Sequence, residues 1–232
     1  MHRVINSPGV VKAFHLIAFT TFAFTIFYFK RYLDIPQPYP RHRLYGRAKY
    51  ASHWNLTLLC FIFCLSCVID WAPIPFKGQL CHLRDHIFLS VSLPSCVFVP
   101  TFFWSMYHVD RELIFPRCLE LYYPTWLNHL IHTAILPFAL LEAMLCRHRQ
   151  PSRKGAFITL FAYVSCYVTW LNYLGIVHSV WVYPVFEVLS TTGTIAFITS
   201  GSVVIFIFYI CLEKVNILWW AHQGMRLDVH TR

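Results

Sequence analysis

The chain has 232 residues, 57% hydrophobic and 18% aromatic, with 12% charged and a formal net charge of +9. Soluble domains carry about 25% charged residues, so a disordered chain and a DNA-binding domain are excluded and an ordinary cytosolic enzyme fits poorly. An integral membrane protein remains, provided that the apolar residues fall in long runs.

They fall in six runs, each near the roughly 20 residues that a helix needs to cross hydrocarbon. The first is Ala13–Phe29, between Lys12 and Lys30-Arg31. Its exit, Phe29-Lys-Arg-Tyr32, lacks a small-residue cleavage pattern, so it reads as a retained span. The second is Tyr50–Ile69, closed by Asp70, and the third is Ile87–Tyr107, closed by Asp110-Arg111. The fourth is Leu121–Leu141, closed by Glu142 and Arg147; the fifth, Ala156–Val177, is opened by Arg153-Lys154. The sixth is Val188–Leu212, closed by Glu213-Lys214. None of the six contains Lys, Arg, Asp or Glu. Continuous rather than alternating runs favour helices over a barrel. The expected fold is all-α, a polytopic membrane protein with six transmembrane helices in one bundle forming a single domain over residues 1–232.

The Pro-rich connector Asp34–Pro40 is expected to be extended. With six spans, the N-terminus, the second and fourth loops and the C-terminal tail share one side and hold 11 Lys+Arg, against 8 on the other. The positive-inside rule thus leans toward both termini in the cytosol, although the first loop, with Arg41, Arg43, Arg47 and Lys49, argues the other way. The expected setting is the endoplasmic reticulum or the plasma membrane. The net positive charge suits anionic headgroups. No basic soluble module points to nucleic acid.

Most of the nine cysteines lie in spans, where a thiol packs as a small apolar group. Cys64-Leu-Ser-Cys67 has redox spacing but sits mid-helix, and packing is the better reading. Cys146, at a span end, is placed where an acyl chain could attach. Asn55-Leu-Thr57 matches a glycosylation sequon inside a span and is discounted.

The informative residues are the polar ones inside the spans, because such residues are expensive in a bilayer. They are His15, Ser52, His53, Asn55, Asn128, His129, His132 and Asn172, with Glu142 at a boundary. Trp126-Leu-Asn-His-Leu-Ile-His132 places Asn128 and His132 one turn apart on one face, with His129 on the same broad side. These residues either hydrogen-bond neighbouring helices or form a site. One possible site chemistry is metal binding. His82-x-x-x-His86 and His129-x-x-His132 resemble the boxes of membrane di-iron oxidases, but the chain has no His-His pair. The expectation is no metal and no cofactor. The other chemistry is nucleophilic. A buried neutral His can take the proton of a hydroxyl. Ser52 and His132 fall at similar depths in spans that run in the same direction, and Ser52 lies in a first helical turn, where free N–H groups favour an oxyanion. Spacing alone does not choose Ser52 over Ser66 or Thr133. A membrane scaffold or transporter stays open, as does the metal-dependent oxidase.

The landmarks Leu83-Arg-Asp85, Asp110-Arg-Glu-Leu-Ile-Phe-Pro116, Trp126-Leu-Asn-His-Leu-Ile-His-Thr133 with Leu136-Pro-Phe138, Pro151-Ser-Arg153, Trp181-Val-Tyr-Pro184 with Glu187, and Glu213-Lys-Val-Asn216 resemble the androgen-induced gene family of multipass membrane proteins. The resemblance implies six spans with cytosolic ends. It also implies hydrolysis of fatty acid esters of hydroxy fatty acids (FAHFAs) by a threonine nucleophile and a histidine. The family histidine falls on His132 and the threonine position on Ser52, a serine for threonine change that keeps the hydroxyl. Asn128, His129 and Asn55 are the expected supporting residues. Lys49 and Arg84 are candidates for the substrate carboxylate. The partner is a lipid entering from the bilayer.

Overall fold

A computed structural model describes residues 7–33, 46–73 and 75–230, with backbone only for 224–230. The connector Asp34–Pro40 and the basic residues Arg41 and Arg43 lie outside the described residues. The helices are α1 (Pro8–Arg31), α2 (Ala51–Trp71), α3 (Lys77–Leu113), α4 (Thr125–Leu145), α5 (Arg153–Val177), a single turn α6 (Val185–Val188) and α7 (Thr191–His230). Among the described residues there is no strand, and six helices are long and apolar enough to cross a membrane. The chain is an all-α polytopic membrane protein.

Local sequence sets where several of these helices begin. Ser7 Oγ accepts from the Val10 N–H with Pro8 opening α1, and Ser152 Oγ accepts from the Gly155 N–H at the start of α5. Ser190 Oγ caps α7 in the same way through the Gly193 N–H. Helix α5 ends in a Schellman turn in which the Val180 N–H reaches the Leu174 carbonyl and Ser179 takes the left-handed conformation at φ 54°.

The helices alternate in direction, so the bundle has a terminal end and a distal end. Pro8, Trp71, Lys77, Leu145 and Arg153 lie at the terminal end; Arg31, Ala51, Leu113, Thr125 and Val177 lie at the distal end. Helix α3 is central: 67% of its most apolar stretch is buried, against 11% for α7. The main core joins α1 to α4 through Phe22, Phe63, Leu59, Cys96 and Ile135. In it Phe22 stacks on Phe63 at 5.9 Å and meets Phe138 edge-on at 5.1 Å. Lipid tails are as apolar as these side chains, so close packing and polar contacts hold the helices together. Buried Ser90, Ser92 and Ser95 let neighbours approach α3 closely. The other faces display Ile17, Phe24, Ile158, Phe161, Ile195 and Val203 outward, as lipid requires.

Two departures from expectation matter for function. First, the helices run past the charges read as their boundaries, Asp70 and Glu142, which are inside α2 and α4, and α3 begins early enough to take in Arg84 and Asp85. Glu142 is fully buried and Asp85 nearly so, which is tolerated because each has ionic partners. Second, α3 and α4 each contain a π-helical segment, Phe88–Ser92 and Leu130–Ala134. Pro94 and Pro137 follow them; each removes an N–H and crowds the carbonyl four residues back, and the widened turn relieves that crowding.

All nine cysteines are free thiols. Asn55 of the sequon is fully buried. Cys146 does not face lipid; its Sγ lies 3.4 Å from His15 Nε2 inside the bundle.

Candidate active site

The distal end holds a cavity of about 450 Å³ whose walls include Ser52, His53, Arg47, Tyr123, His132 and Tyr183, on a lining of Phe29, Phe103 and Ile131. Ser52 and His132 therefore reach one space, although they come from different helices 80 positions apart. Helix α2 packs against the π-helical segment of α4, and α4 starts at Thr125, close to where the pattern after Pro124 places it.

His132 is 7% exposed and held on three sides. Phe103 stacks on its ring at 3.6 Å and 5°. Its Nδ1 lies 2.8 Å from Asn128 Oδ1 and 3.2 Å from the Asn128 carbonyl. Both are acceptors, so Nδ1 carries the proton, and Nε2 holds the lone pair. The third restraint comes through the backbone: Trp104 Nε1–H donates to the His132 carbonyl at 2.9 Å and to Thr133 Oγ1 at 3.1 Å. The π-turn thus offers its loosened carbonyl to Trp104. His129 is exposed, stacked on Trp104 at 5.2 Å, and lies off the cavity.

Ser52 is half-buried in the first turn of α2. That turn has no side-chain cap from its own Tyr50. A chain of hydroxyls from α5 and the following loop anchors it instead. The Ala51 N–H donates to Tyr183 Oη at 3.1 Å, the two tyrosine hydroxyls meet at 3.1 Å, and Tyr167 O–H donates to the Lys49 carbonyl at 3.2 Å. Counting protons, Tyr183 accepts from Ala51 and donates to Tyr167. Burial raises the Tyr183 pKa and likewise that of Tyr123, so both phenols stay protonated and able to donate. Trp181 positions Tyr183 by packing onto Gly175, where an added Cβ would lie 2.4 Å from the Trp181 ring.

The other expected site residues lie elsewhere. Asn55 is in the core one turn below the cavity, its Oδ1 accepting from Cys96 S–H at 3.4 Å. Lys49 is fully buried with its ammonium 5.6 Å from the Tyr50 ring centre. Arg84 is at the terminal end, bonded to Asp85 at 2.8 Å, and so cannot serve a ligand beside Ser52. Among the described residues, the Lys or Arg on the cavity wall is Arg47, whose Nη2 donates to the Leu33 carbonyl at 2.7 Å and whose Nη1 bonds the Phe29 carbonyl. In the sequence it reads only as a headgroup anchor. The two histidine boxes are also separated: His86 is at the terminal end, bonded to Thr159 at 2.8 Å, while His129 and His132 are distal. Tyr167 and Tyr183 carried no sequence signal beyond the Trp181-Val-Tyr-Pro184 landmark.

The family model described as FAR-17a/AIG1-like protein matches residues 11–217. The chain belongs to that family. It is 34% identical over 183 residues to the mouse androgen-dependent TFPI-regulating protein, covering 76% of this chain and 78% of the relative. Its human counterpart is 34% identical over 180 residues, with the same coverage. The human androgen-induced gene 1 protein is 30% identical over 196 residues, covering 79% and 82%. No solved structure matches the chain. For this FAR-17a/AIG1-like chain, the motif Asn128-His-x-x-His132 and the start of α2 both fall within the matched region.

Proposed function

We propose that this protein is an intramembrane carboxylic ester hydrolase that cleaves fatty acid esters of hydroxy fatty acids, with Ser52 as nucleophile and His132 as base. The observation that carries the reading is the shared cavity: a serine hydroxyl and a histidine with its Nδ1 committed to Asn128 face one largely apolar space. Its volume falls within the roughly 300–1,000 Å³ usual for small-molecule sites.

Neutral His132 takes the Ser52 proton on Nε2 as Oγ adds to the ester carbonyl, and the positive N-terminal end of α2 favours the oxyanion. His132 then protonates the departing secondary alcohol. Water, deprotonated by His132, releases the fatty acid from the acyl-serine. Arg47 is the wall cation suited to the free carboxylate of such a substrate. A branched ester has two chains, and a second cavity of about 120 Å³ shares Ala51, Phe98, Val99, Phe102 and Tyr183 with the first and continues past Gly201 and Ile205. One chain would lie in each, with their ends in the bilayer.

The test is labelling of the purified protein by a serine-directed fluorophosphonate together with FAHFA hydrolysis. Labelling of wild type, lost in Ser52→Ala and His132→Ala along with hydrolysis, is the expected result. A wild type that neither labels nor hydrolyses, or variants that do both, ends the proposal.

A further inference from the structure

The terminal end contains a second convergence of chemistry-bearing side chains, with no part in the reaction above. His15 Nε2, a Glu142 carboxylate oxygen and Cys146 Sγ all lie within 4.8 Å of one another, the closest approaches being 2.9 Å for His15–Glu142 and 3.4 Å for His15–Cys146. On the other side of Glu142, His148 Nε2 stands 3.3 Å from Oε1. Both of those atoms are buried and have no hydrogen-bond partner of good geometry.

The far sides of the two imidazoles repeat one pattern. His15 Nδ1 lies 2.6 Å from Asp70 Oδ2, and His148 Nδ1 lies 2.8 Å from Asp85 Oδ1. A carboxylate on Nδ1 draws the ring proton there and leaves the Nε2 lone pair directed away from it. In both rings Nε2 is turned toward the same Glu142. This carboxylate–histidine pair is the arrangement that orients imidazole toward a metal. Asp85 is itself held, by Arg84 at 2.8 Å and by the Arg149 N–H at 2.9 Å.

With both rings neutral, two Nε2 lone pairs would face carboxylate oxygens, which is repulsive. Something positive must lie between them, either a second proton on each ring or a cation. The charge count fits either: Asp70, Asp85 and Glu142 carry three negative charges against one on Arg84, a deficit filled by two ring protons, or by one divalent ion on a Cys146 thiolate together with one proton on His148. The donor set decides between them. A buried thiol beside an imidazole nitrogen and a carboxylate is a mixed N, O, S set, which suits zinc-class divalent ions. Zinc bonds of about 2.0–2.3 Å at tetrahedral angles put ligand atoms roughly 3.3–3.5 Å apart; the His15–Cys146 spacing of 3.4 Å matches, and the His15–Glu142 contact of 2.9 Å would open slightly as the ion replaces the shared proton.

We propose that the terminal end binds one zinc-class divalent cation through His15 Nε2, Glu142 and Cys146 Sγ, with a protonated His148 facing the second Glu142 oxygen. As the metal–sulfur bond forms, the Cys146 thiol proton leaves to solvent. The site would tie α1 and α4 to the loop after α4, independently of Ser52 and His132.

The test uses the full-length protein in nanodiscs, equilibrated with zinc, passed over a desalting column and assayed for metal by mass spectrometry. Wild type and Ser52→Ala should each retain close to one zinc per chain. Cys146→Ser and His15→Gln should retain less than a fifth of that while eluting as the same monodisperse species. A readout on wild type alone covers variants that misfold: zinc should slow maleimide modification of Cys146, mapped by peptide mass, at least tenfold relative to chelator-treated protein. Wild type that retains no zinc, variants that retain it in full, or Cys146 modified at the same rate with and without zinc would each overturn the site and leave the cluster as a network of protonated histidines.

Discussion

His132 and His15 sit at opposite ends of the same bundle, both nearly inaccessible, and their surroundings differ in kind. His132 is sandwiched by Phe103, tied by Nδ1 to an amide and a backbone carbonyl, and opens on a cavity. His15 is wedged between Asp70 at 2.6 Å and Glu142 at 2.9 Å. A neutral acceptor fixes which nitrogen holds the proton without adding charge, and leaves the other nitrogen available to substrate. Carboxylates on both sides demand a positive charge in the middle, and in a low-dielectric interior that demand is strong. The distal end is therefore arranged for proton transfer and the terminal end for holding charge.

The comparison breaks most decisively if the two ends exchange roles under mutation. Ser52→Ala and His132→Ala should each lower FAHFA hydrolysis by about 10³-fold or more, with thermal unfolding in detergent unchanged. Ser52→Thr, which restores the residue type of the resemblance, should stay within about tenfold of wild type, because the hydroxyl is kept and only a methyl is added. Loss of activity together with a large fall in Tm would place His132 in the scaffold instead.

At the terminal end the expected effect is on stability. Glu142 is fully buried between His15 and His148. Removing one partner from a buried ionic set costs about 3–5 kcal/mol, so Glu142→Leu should lower Tm steeply or prevent accumulation of the folded protein. Any Glu142→Leu protein recovered should retain labelling at Ser52. A variant that folds normally but no longer labels would join the two ends into one site.

The two ends also differed in how legible they were. The distal pair was within reach of sequence because its signal is local: Asn128 and His132 are one helical turn apart, and polar residues in an apolar run stand out. The six helices were legible for the same reason. The terminal cluster was misread by the same rule. Asp70 and Glu142 looked like the charges that end spans, since a one-dimensional window treats any charge as facing lipid. Only tertiary pairing takes them inside, and His148, in the loop after α4, had nothing in its neighbours to mark it. Pro137 is plain in the sequence, yet its effect, a π-turn that carries His132 and offers its carbonyl to Trp104, depends on a partner from α3. Arg47 rather than Arg84 reaches the cavity wall, which sequence could not show because basic residues near span ends look alike.

Asn128 sharpens the contrast at a smaller scale. If it orients His132 without supplying charge, Asn128→Ala should lower kcat by about 10–100-fold, less than loss of the base itself, with KM little changed. Asn128→Asp would bring a carboxylate to Nδ1 and make His132 resemble His15. It should bind more protons at neutral pH and display an activity limb moved toward higher pH. Equal kcat in Asn128→Ala and wild type would remove Asn128 from the site.

The smallest effect concerns the scaffold that delivers Tyr183 to the start of α2. Ser179 occupies the left-handed position of the Schellman turn at φ 54°, on the wall of the distal cavity. A non-glycine residue in that conformation costs about 1–2 kcal/mol, part of which Ser179→Gly should recover as a small rise in Tm. Gly175→Ala acts on the same loop in the opposite sense. The new methyl meets the Trp181 ring at 2.4 Å, so Trp181 must move and Tyr183 with it. If the hydroxyl chain through Tyr183 holds the Ser52 turn in place, Gly175→Ala should lower kcat as well as Tm, whereas Ser179→Gly should raise Tm alone. A Gly175→Ala protein that loses stability but keeps its full kcat would show that the first turn of α2 holds its geometry without Tyr183.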